Sequence, residues 1–447
     1  MNYFSTKKLY MAVCVQYVFS ILYTRNSCKI TVDLDRNSLL KIKSKGSVPN
    51  HHLGLIKAES VSLPSNINLA LRTAVQDYPT TALINDSNRL NQYIVSRHPP
   101  PEPEKFYREV ALRYSKKVTS GEAASPRDGK NDNQKVISEC IYAWKPLKYN
   151  KYGALVYAVS RSAQEYVILS KIFHEIVNRD PNFKPRSYFD FGSGVGTGMW
   201  AASKMWKTSI FEYYNVDTST EMHDLSELIL RGGKKNQNRS LQNVSYRKFL
   251  PTIHTKYDLI LTSFSLFELP NCQNRKEVML NLWRRCAGYL VVVEEGSYMA
   301  SKLVNEIREF LLTQEDEELK GSVLSPCPHD NMCPRLSSQD KSPCNFEISY
   351  TPLTLGESHF NHKCARYSYI VLKKGCLEDS YTKWPRLVRP TLIRSKHVIC
   401  RLCTSGGNLQ EIIFTKSKHG SELYRCARAS RWGDRLPIEI GIETKKN

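Results

Sequence analysis

An α/β fold built around a parallel sheet is predicted by three observations. Strand-length apolar runs alternate with helical stretches through the middle of the chain, the first of these runs ends in a glycine-rich turn, and the second closes on an acid. The strand candidates are Ser187 to Phe191, Ile210 to Val216, Tyr257 to Thr262 and Tyr289 to Val293. Each is short and separated from the next by a helical stretch, the pattern of a parallel sheet covered by helices on both faces. Ahead of them, residues 137 to 179 read as two helices, the second carrying apolar positions at helical spacing through Tyr166-Val167-Ile168-Leu169 and Ile172-Phe173. Behind them come a helix from Ser301 to Leu312, an acidic patch Glu315-Asp316-Glu317-Glu318 read as a solvated helix face, and a buried strand over 363–374.

The first strand runs through Tyr188-Phe189-Asp190-Phe191 into Gly192-Ser193-Gly194-Val195-Gly196-Thr197-Gly198 and then a helix. Glycines at a strand-to-helix turn let backbone approach a ligand, and the helix start offers free N–H donors. A dinucleotide fingerprint needs glycine at the first, third and sixth positions, yet the sixth from Gly192 is Thr197 and from Gly194 is Met199. The observed D-x-G-x-G-x-G is similar to the first motif of class I S-adenosylmethionine-dependent methyltransferases instead. That likeness implies a methionine moiety held by Asp190, Gly192, Gly194 and Gly196. Asp217, at the end of the next strand, would accept the ribose hydroxyls. The loop after the third strand candidate, Thr262-Ser263-Phe264-Ser265-Leu266-Phe267-Glu268, has neither a polar-proline-aromatic motif nor a nucleophilic cysteine, and no catalytic residue is identified.

Composition frames the partners and the compartment. The chain has 447 residues, enough for two or three units, with 64 Lys and Arg against 43 Asp and Glu, a net +21. That surplus favours a polyanion, nucleic acid first and an anionic membrane second. Before the first acid, Asp33, the basic residues Lys7, Lys8, Arg25 and Lys29 stand among hydroxyl, tyrosine and aliphatic residues, as in a mitochondrial transit peptide. A secretory signal is the rival reading, because Leu9 to Tyr23 is mostly apolar, but Gln16 and several tyrosines interrupt it. That stretch is short for a membrane span, and no membrane span is expected. Ser115 to Gln134 has almost no large apolar residue and reads as an exposed linker. The tail from Trp384 to Asn447 carries thirteen Lys and Arg against five Asp and Glu. Within it Arg425, Arg428, Arg431 and Arg435 would line one helix face if that stretch is helical, placing phosphate contacts there.

The 13 cysteines are diluted over a large chain and clustered only locally, which favours reduced thiols with a metal-binding subset. Cys327-Pro328-His329-Asp330-Asn331-Met332-Cys333 is followed by Cys344, three soft ligands in a segment with little apolar content. A fourth ligand must come from elsewhere; His329, Cys364, Cys376, Cys400 and Cys403 are the candidates. Cys₃His zinc, Cys₄ zinc and a Cys₄ iron–sulfur cluster are all open on chemistry alone. Cys272 reads as a structural thiol.

Several separate stretches together resemble one family, the mitochondrial methyltransferase-like proteins that help assemble the small subunit of the mitochondrial ribosome. They are Tyr157 with Arg161; Phe189-Asp190-Phe191-Gly192-Ser193-Gly194-Val195-Gly196; Tyr257-Asp258-Leu259-Ile260; Pro326-Cys327-Pro328-His329-Asp330 with Cys333-Pro334; Tyr367-Ser368-Tyr369; and Trp432-Gly433-Asp434. The resemblance covers roughly residues 140 to 440, and the proline-flanked cysteine stretch is its most specific part. It implies a 4Fe–4S cluster on Cys327, Cys333, Cys344 and a thiol after His397-Val398, where Cys403 is favoured over Cys400; zinc is the alternative metal. It further implies bound S-adenosylmethionine, residence in the mitochondrial matrix, and a role in small-subunit assembly needed for mitochondrial translation. The expected partners are the mitochondrial small-subunit rRNA and the small-subunit precursor, the chain being otherwise a monomer. Two readings stand beside it: an active rRNA methyltransferase, and a zinc-containing RNA-binding protein with an inactive pocket. The chain departs from the family pattern at Ser342-Pro343-Cys344-Asn345-Phe346 and at Glu295-Gly296.

The expected organisation is a transit peptide over 1–30, a helical N-terminal region over 31–145 with its linker near 115–135, and a Rossmann-like class I methyltransferase core over 146–312. A cysteine-rich metal segment over 313–350 follows. A small β-containing basic C-terminal region over 351–447 supplies the last strand, the fourth cysteine and RNA contacts.

Overall fold

The computed structural model describes residues 29–36, 52–57, 61–99, 146–253, 255–337, 341–355, 362–378 and 381–443. The linker near 115–135 and all of the leader but its last two residues lie outside them.

The N-terminal part begins with a strand, β1 (Lys29–Leu34), followed by helices α1 (Ser65–Val75) and α2 (Thr80–Ser96). The helical reading thus holds over 65–96, whereas Lys29–Leu34 is extended and its first two residues fall inside the stretch assigned to a leader. Alternating Ile30, Val32 and Leu34 explain the difference, since a period of two suits a strand that pairs with the far end of the chain. Next comes α3 (Lys151–Arg179), one helix of 29 residues, while 137–145, where the expected pair of helices would begin, lies outside the described residues. Its start is fixed by Asn150, whose side chain accepts from Gly153 N at 2.7 Å, a cap worth about 1 kcal/mol. Apolar residues from Ala154 to Ile176 are buried on every side, so α3 runs through the core rather than along its surface.

The core continues as β2 (Ser187–Phe191), α4 (Thr197–Met205), β3 (Glu212–Val216), α5 (Thr220–Leu230), β4 (Val244–Arg247), β5 (Tyr257–Ser263), α6 (Cys272–Arg285), β6 (Cys286–Glu295) and α7 (Tyr298–Leu312). Three further strands finish its sheet, β7 (Gly321–Ser325), β8 (Phe346–Tyr350) and β9 (Lys363–Lys374), with a single helical turn α8 (Pro334–Ser337) between the first two. The order is β4-β3-β2-β5-β6-β9-β7, with β8 paired to the far half of β9. β4 to β6 run parallel and β9 lies antiparallel between β6 and β7. With β8 left aside, counting the strands of that path in chain order gives 3-2-1-4-5-7-6 with the seventh reversed, which is the class I methyltransferase sheet. The sheet therefore extends past residue 312, because a strand on each side of the cysteine segment belongs to it. The acidic patch is not a helix face: α7 stops at Leu312 and residues 317–319 form one 3-10 turn.

Each face of the sheet has its own core. On one side Tyr188, Leu259, Leu261, Tyr289 and Val291 pack with α3, α4 and α5; on the other Phe189, Ile260, Leu290 and Val292 pack with α6 and α7. A third core belongs to the C-terminal unit of β10 (Arg386–Leu387), β11 (Leu392–Ile393), β12 (His397–Cys403), β13 (Leu409–Thr415), α9 (Lys416–Ala429) and β14 (Ile438–Glu443). β14 pairs antiparallel with β1.

One buried ion pair joins that unit to the rest. The Arg386 guanidinium is paired with Glu175 of α3, and it also donates to Pro326 O at 2.8 Å, Gly433 O at 2.7 Å and Ser325 Oγ at 3.2 Å. Tyr369 of β9 adds a hydroxyl to Glu175 at 3.0 Å. Burial alone would push the Glu175 carboxyl up, but the Arg386 charge and hydrogen bonds outweigh it and hold the group down to about 2. Removing one partner of such a pair strands the other charge in the core. Arg386→Met is expected to lower unfolding stability by about 3–5 kcal/mol, with Glu175→Leu/Arg386→Met recovering part of the loss. A denaturant titration checks it, and a loss below about 1 kcal/mol, the scale of an exposed pair, would contradict this role.

Candidate cofactor pocket and thiol cluster

Strand order reverses between β2 and β5, so their carboxyl ends open a crevice of the kind that receives ligands in open α/β sheets. The glycine turn lines it. Gly192, Gly194 and Gly196 all hold positive φ, at 74°, 50° and 88°, conformations that side chains disfavour. A Cβ at Gly192 would lie 2.7 Å from Ser265 Cβ and one at Gly196 2.6 Å from Ser226 Oγ, whereas one at Gly194 would meet nothing within 4 Å. The outer two glycines let the turn close onto the protein, and the middle one faces open space.

The end of β3 anchors this turn. Gly192 N and Ser193 N both donate to Val216 O, at 2.8 and 3.0 Å. The next residue, Asp217, accepts from Gly194 N at 2.8 Å through one carboxylate oxygen and from Ser219 N at 2.9 Å through the other. A carboxylate has about four acceptor sites, so two are left toward the crevice. Asp190 sits deeper, 1% exposed; its Oδ2 accepts from the Tyr188 hydroxyl at 2.8 Å, and its Oδ1 has no partner among the described residues. Ser193 Oγ and Thr197 Oγ1 in the same turn are likewise buried without a partner. Burial pushes the Asp190 carboxyl up to about 7; the Tyr188 hydroxyl opposes this, and the charges of Asp217 and Glu165 add to it.

More acids gather around the neighbouring strand ends. Glu294, at the end of β6, accepts from Leu266 N at 2.6 Å and is pushed up to about 8, chiefly by burial. Glu295 pairs with Arg161 of α3, which also donates to Glu165 Oε1 at 3.1 Å, an oxygen that accepts from Tyr157 as well at 2.7 Å. The Arg161 guanidinium lies 5.1 Å from the centre of the Phe264 ring. Phe264 itself holds φ 56°, a costly conformation for an aromatic residue that aims the loop after β5. Sequence reasoning noted Tyr157 and Arg161 only as part of a resemblance; the structure makes them the wall behind the crevice. Glu294 and Phe264 were missed, since neither a second acid at a strand end nor a left-handed aromatic has a sequence signature.

The four thiols expected as ligands come from four places: the loop after β7 (Cys327), just before α8 (Cys333), the residues before β8 (Cys344) and the end of β12 (Cys403). Cys327, Cys344 and Cys403 are pushed up, most of all by burial. Cys333 then adds to the rise in all three, and Cys327 adds to it in Cys344 and Cys403. Cys327 reaches about 11, with Arg308 pulling it back. Cys400 is not in this group. It is fully buried in the C-terminal core, is pushed up to about 12 by burial, and its side-chain partner is Thr391. Residues three apart on a strand point to opposite faces, which is why only one of the pair can reach the others. Among the described residues, no three His, Cys, Asp or Glu groups stand as a ready single-ion site, where Zn–S bonds of about 2.3 Å would draw sulfurs to within about 4 Å of one another.

The backbone around the thiols is held at many points. Arg308 of α7 donates to His329 O at 2.9 Å and Asn331 O at 2.8 Å. Asp330 accepts from Val323 N at 2.7 Å, while Cys344 donates its N–H to Ser301 Oγ at 3.0 Å and accepts from Ser368 Oγ at 2.9 Å through its carbonyl. His329, a fourth-ligand candidate, places Nε2 3.3 Å from Cys403 Sγ, so it touches the thiol it was weighed against. Cys364 and Cys376 are exposed elsewhere on β9 and after it.

The proposed RNA-contacting arginines divide. Arg425 and Arg428 are exposed on α9 and Arg431 is exposed just past its end. Arg435 leaves the set: α9 stops at Ala429, and the Arg435 guanidinium lies 5.2 Å from the Trp384 ring centre and donates to Thr382 Oγ1 at 3.1 Å.

The raised acids set a pH dependence. Asp190 and Glu294 hold their protons in the fold up to about 7 and about 8, far above their ordinary values of 3.8 and 4.5. Stability from their protonated forms is present in full below the ordinary values and is lost as pH rises through the folded ones. Between pH 5 and 8, Asp190→Asn and Glu294→Gln should therefore each lose less Tm than the unmodified chain. An unchanged slope in both variants would contradict the burial assigned to these groups.

The comparisons with known proteins agree with this geometry. The family model described as mitochondrial small ribosomal subunit Rsm22 matches residues 151–437. The human mitochondrial ribosome assembly protein METTL17 is 34% identical over 394 residues, 87% of this chain and 85% of that protein. The Rsm22-cox11 tandem protein 2 of Schizosaccharomyces pombe is 27% identical over 339 residues, 63% of this chain but only 42% of that longer protein. The magnesium protoporphyrin IX methyltransferase of Synechocystis overlaps 53% of this chain and 92% of its own length at 10% identity with a TM-score of 0.30; the fold assignment rests on strand order and not on that likeness. With the family model covering α3 to the end of the C-terminal core, and a relative above 30% identity along most of both chains, this chain belongs to the Rsm22 family of the mitochondrial small ribosomal subunit.

Proposed function

We propose that this protein is an assembly factor of the mitochondrial small ribosomal subunit, acting in the matrix on the subunit precursor and its rRNA. In this reading it holds S-adenosylmethionine at the glycine turn and a 4Fe–4S cluster on Cys327, Cys333, Cys344 and Cys403. The observation that carries the assembly role is family membership along most of the chain, with a mitochondrial ribosome assembly protein among its relatives. Among the described residues no helix is long and apolar enough to cross a membrane.

The chain's own groups suit both ligands. Gly194 leaves the room, Asp190 has an unused oxygen and Asp217 two unused acceptor sites, and the surrounding acids favour a cationic ligand over a neutral one. Bound there, S-adenosylmethionine would supply a sulfonium methyl group. Cys327 and Cys333 raise the proton affinity of Cys344 and Cys403, a repulsion between thiolates that bound iron would offset, and the thiols come from segments of the chain that a shared centre would staple together. A four-iron cluster spaces its thiolates more widely than a single ion does, consistent with thiols that act on one another without forming a single-ion site. His329, against Cys403, would hydrogen-bond that sulfur and tune the centre's potential.

The active rRNA methyltransferase is the second reading, favoured by an open turn beside the loop that bends at Phe264. Transfer of labelled methyl from S-adenosylmethionine to one rRNA nucleotide, abolished by Asp217→Ala, would establish it. For the proposal itself, depletion of the protein should leave small-subunit precursors stalled while large subunits persist, and normal subunits after full depletion would overturn the assembly role. Anaerobically isolated Cys403→Ser should lose its bound iron and Cys400→Ser should keep it; iron retained by the first and lost by the second would reverse the ligand assignment.

A further inference from the structure

Beyond Glu295, on the α3 side of the sheet, lies a cavity of about 710 Å³, within the range of about 300–1,000 Å³ typical of small-ligand sites. It forms where β8 and the far half of β9 extend past the end of β6, and α2 roofs it. α2 belongs to the N-terminal region, so the cavity is made by what this chain adds around the core sheet.

Its chemistry is graded from floor to mouth. At the floor, the buried Gln164 amide stands beside the buried Glu295 carboxylate, with half-buried Asn91 next to them and the exposed Asn88 amide at the α2 edge, donors and acceptors together. That floor is rigid: Arg161 ties Glu295 to Asn91, donating to Asn91 Oδ1 at 3.1 Å. The walls are apolar, from Ile84, Val159 and Leu353, with one aromatic ring, Tyr350. At the mouth stand two cations, Lys363 and Arg366. Arg366, itself largely exposed, pairs with half-buried Glu347 at 3.1 Å and lies 5.9 Å from the centre of the Trp432 ring; partly exposed pairs of this kind contribute about 0–1 kcal/mol, so the guanidinium can turn to a stronger anion.

A planar group with hydrogen-bonding edges, an apolar face and a phosphate at its outer end matches this gradient. We propose that the cavity receives one nucleotide turned out of a single RNA strand, its base inward against Tyr350 and the amides and its phosphate between Lys363 and Arg366. Sequence-specific RNA recognition works on such unstacked bases, by aromatic stacking and edge hydrogen bonds. The cavity shares a wall with the cofactor crevice: Arg161 reaches from Glu295 to Phe264, whose neighbour Ser265 abuts Gly192. The proposal rests on the reading that this chain works on rRNA and adds to it the place where one nucleotide is gripped.

The test uses the full chain, isolated anaerobically, with two fluorescent probes: pentauridylate carrying a central 2-aminopurine, and free 2-aminopurine riboside 5′-monophosphate. The pentamer is expected to bind with quenched fluorescence and at least 10-fold more tightly than the monophosphate. Asn88→Trp, an exposed α2 position that would fill the cavity, should weaken pentamer binding at least 10-fold, as should Lys363→Glu/Arg366→Glu. Lys207→Glu, exposed near the opposite ends of the strands, should bind as the unmodified chain does. Unchanged affinity in Asn88→Trp, binding seen by anisotropy without quenching, equal or tighter binding of the monophosphate, or no binding of either probe would each overturn the proposal. Co-sedimentation with small-subunit precursors separates it from the assembly role. Precursor association without quenching removes the nucleotide site alone, and quenching without association supports the site while removing the assembly role.

Discussion

The architecture depends on the charge pair between Glu175 and Arg386. Two unlike charges buried together with their hydrogen bonds filled cost much less than either alone, so the C-terminal unit has one docking position where Arg386 meets α3. That same guanidinium binds the carbonyls of Pro326 and Gly433. It thus fixes at one point the start of the cysteine segment and the turn before β14. The Gly433 turn is braced in its own right, Asp434 accepting from Ile56 N at 2.8 Å and Arg431 N at 2.7 Å. Cys403 lies on a strand of the docked unit and Cys327 just past the anchored carbonyl, so the pair fixes the position of one relative to the other.

Electrostatics divide the molecule. The surface carries a large positive surplus, yet the carboxyl ends of the central strands gather Asp190, Asp217, Glu294 and Glu295, backed by Glu165. Arg161 offsets part of that charge and is itself too deeply paired to reach a ligand. On the proposed reading, a cationic small molecule would be drawn to the crevice and a polyanionic strand to its rim, adjoining but different surfaces that would let one domain hold both without either competing for the other's charges.

The sheet was legible because its strands are short apolar runs punctuated by helices, and β9 was placed to the residue from its continuous apolar stretch. The reversal of β9 and its insertion between β6 and β7 were not legible, since pairing partners far apart in sequence leave no local periodicity. The turn at Gly192, Gly194 and Gly196 was legible as a tight strand-to-helix connection because closely spaced glycines mark positive-φ backbone, whereas its expected ligand came from likeness to a methyltransferase motif. The Cys400 or Cys403 question could not be settled from residues, because it turns on strand phase and no strand was recognised at β12. Arg435 was misplaced for a related reason: spacing at three and four suggests a helix face, but Gly433 and Asp434 break the helix into a turn. Asn150, a residue with no apolar signal, decided where α3 begins.

The most direct test of the proposed thiol centre is iron K-edge X-ray absorption on the anaerobically isolated full chain. A shared 4Fe–4S centre predicts sulfur as the sole first-shell scatterer together with a short iron–iron path, both lost in Cys403→Ser. No iron edge at all, or iron without an iron–iron path, would contradict it.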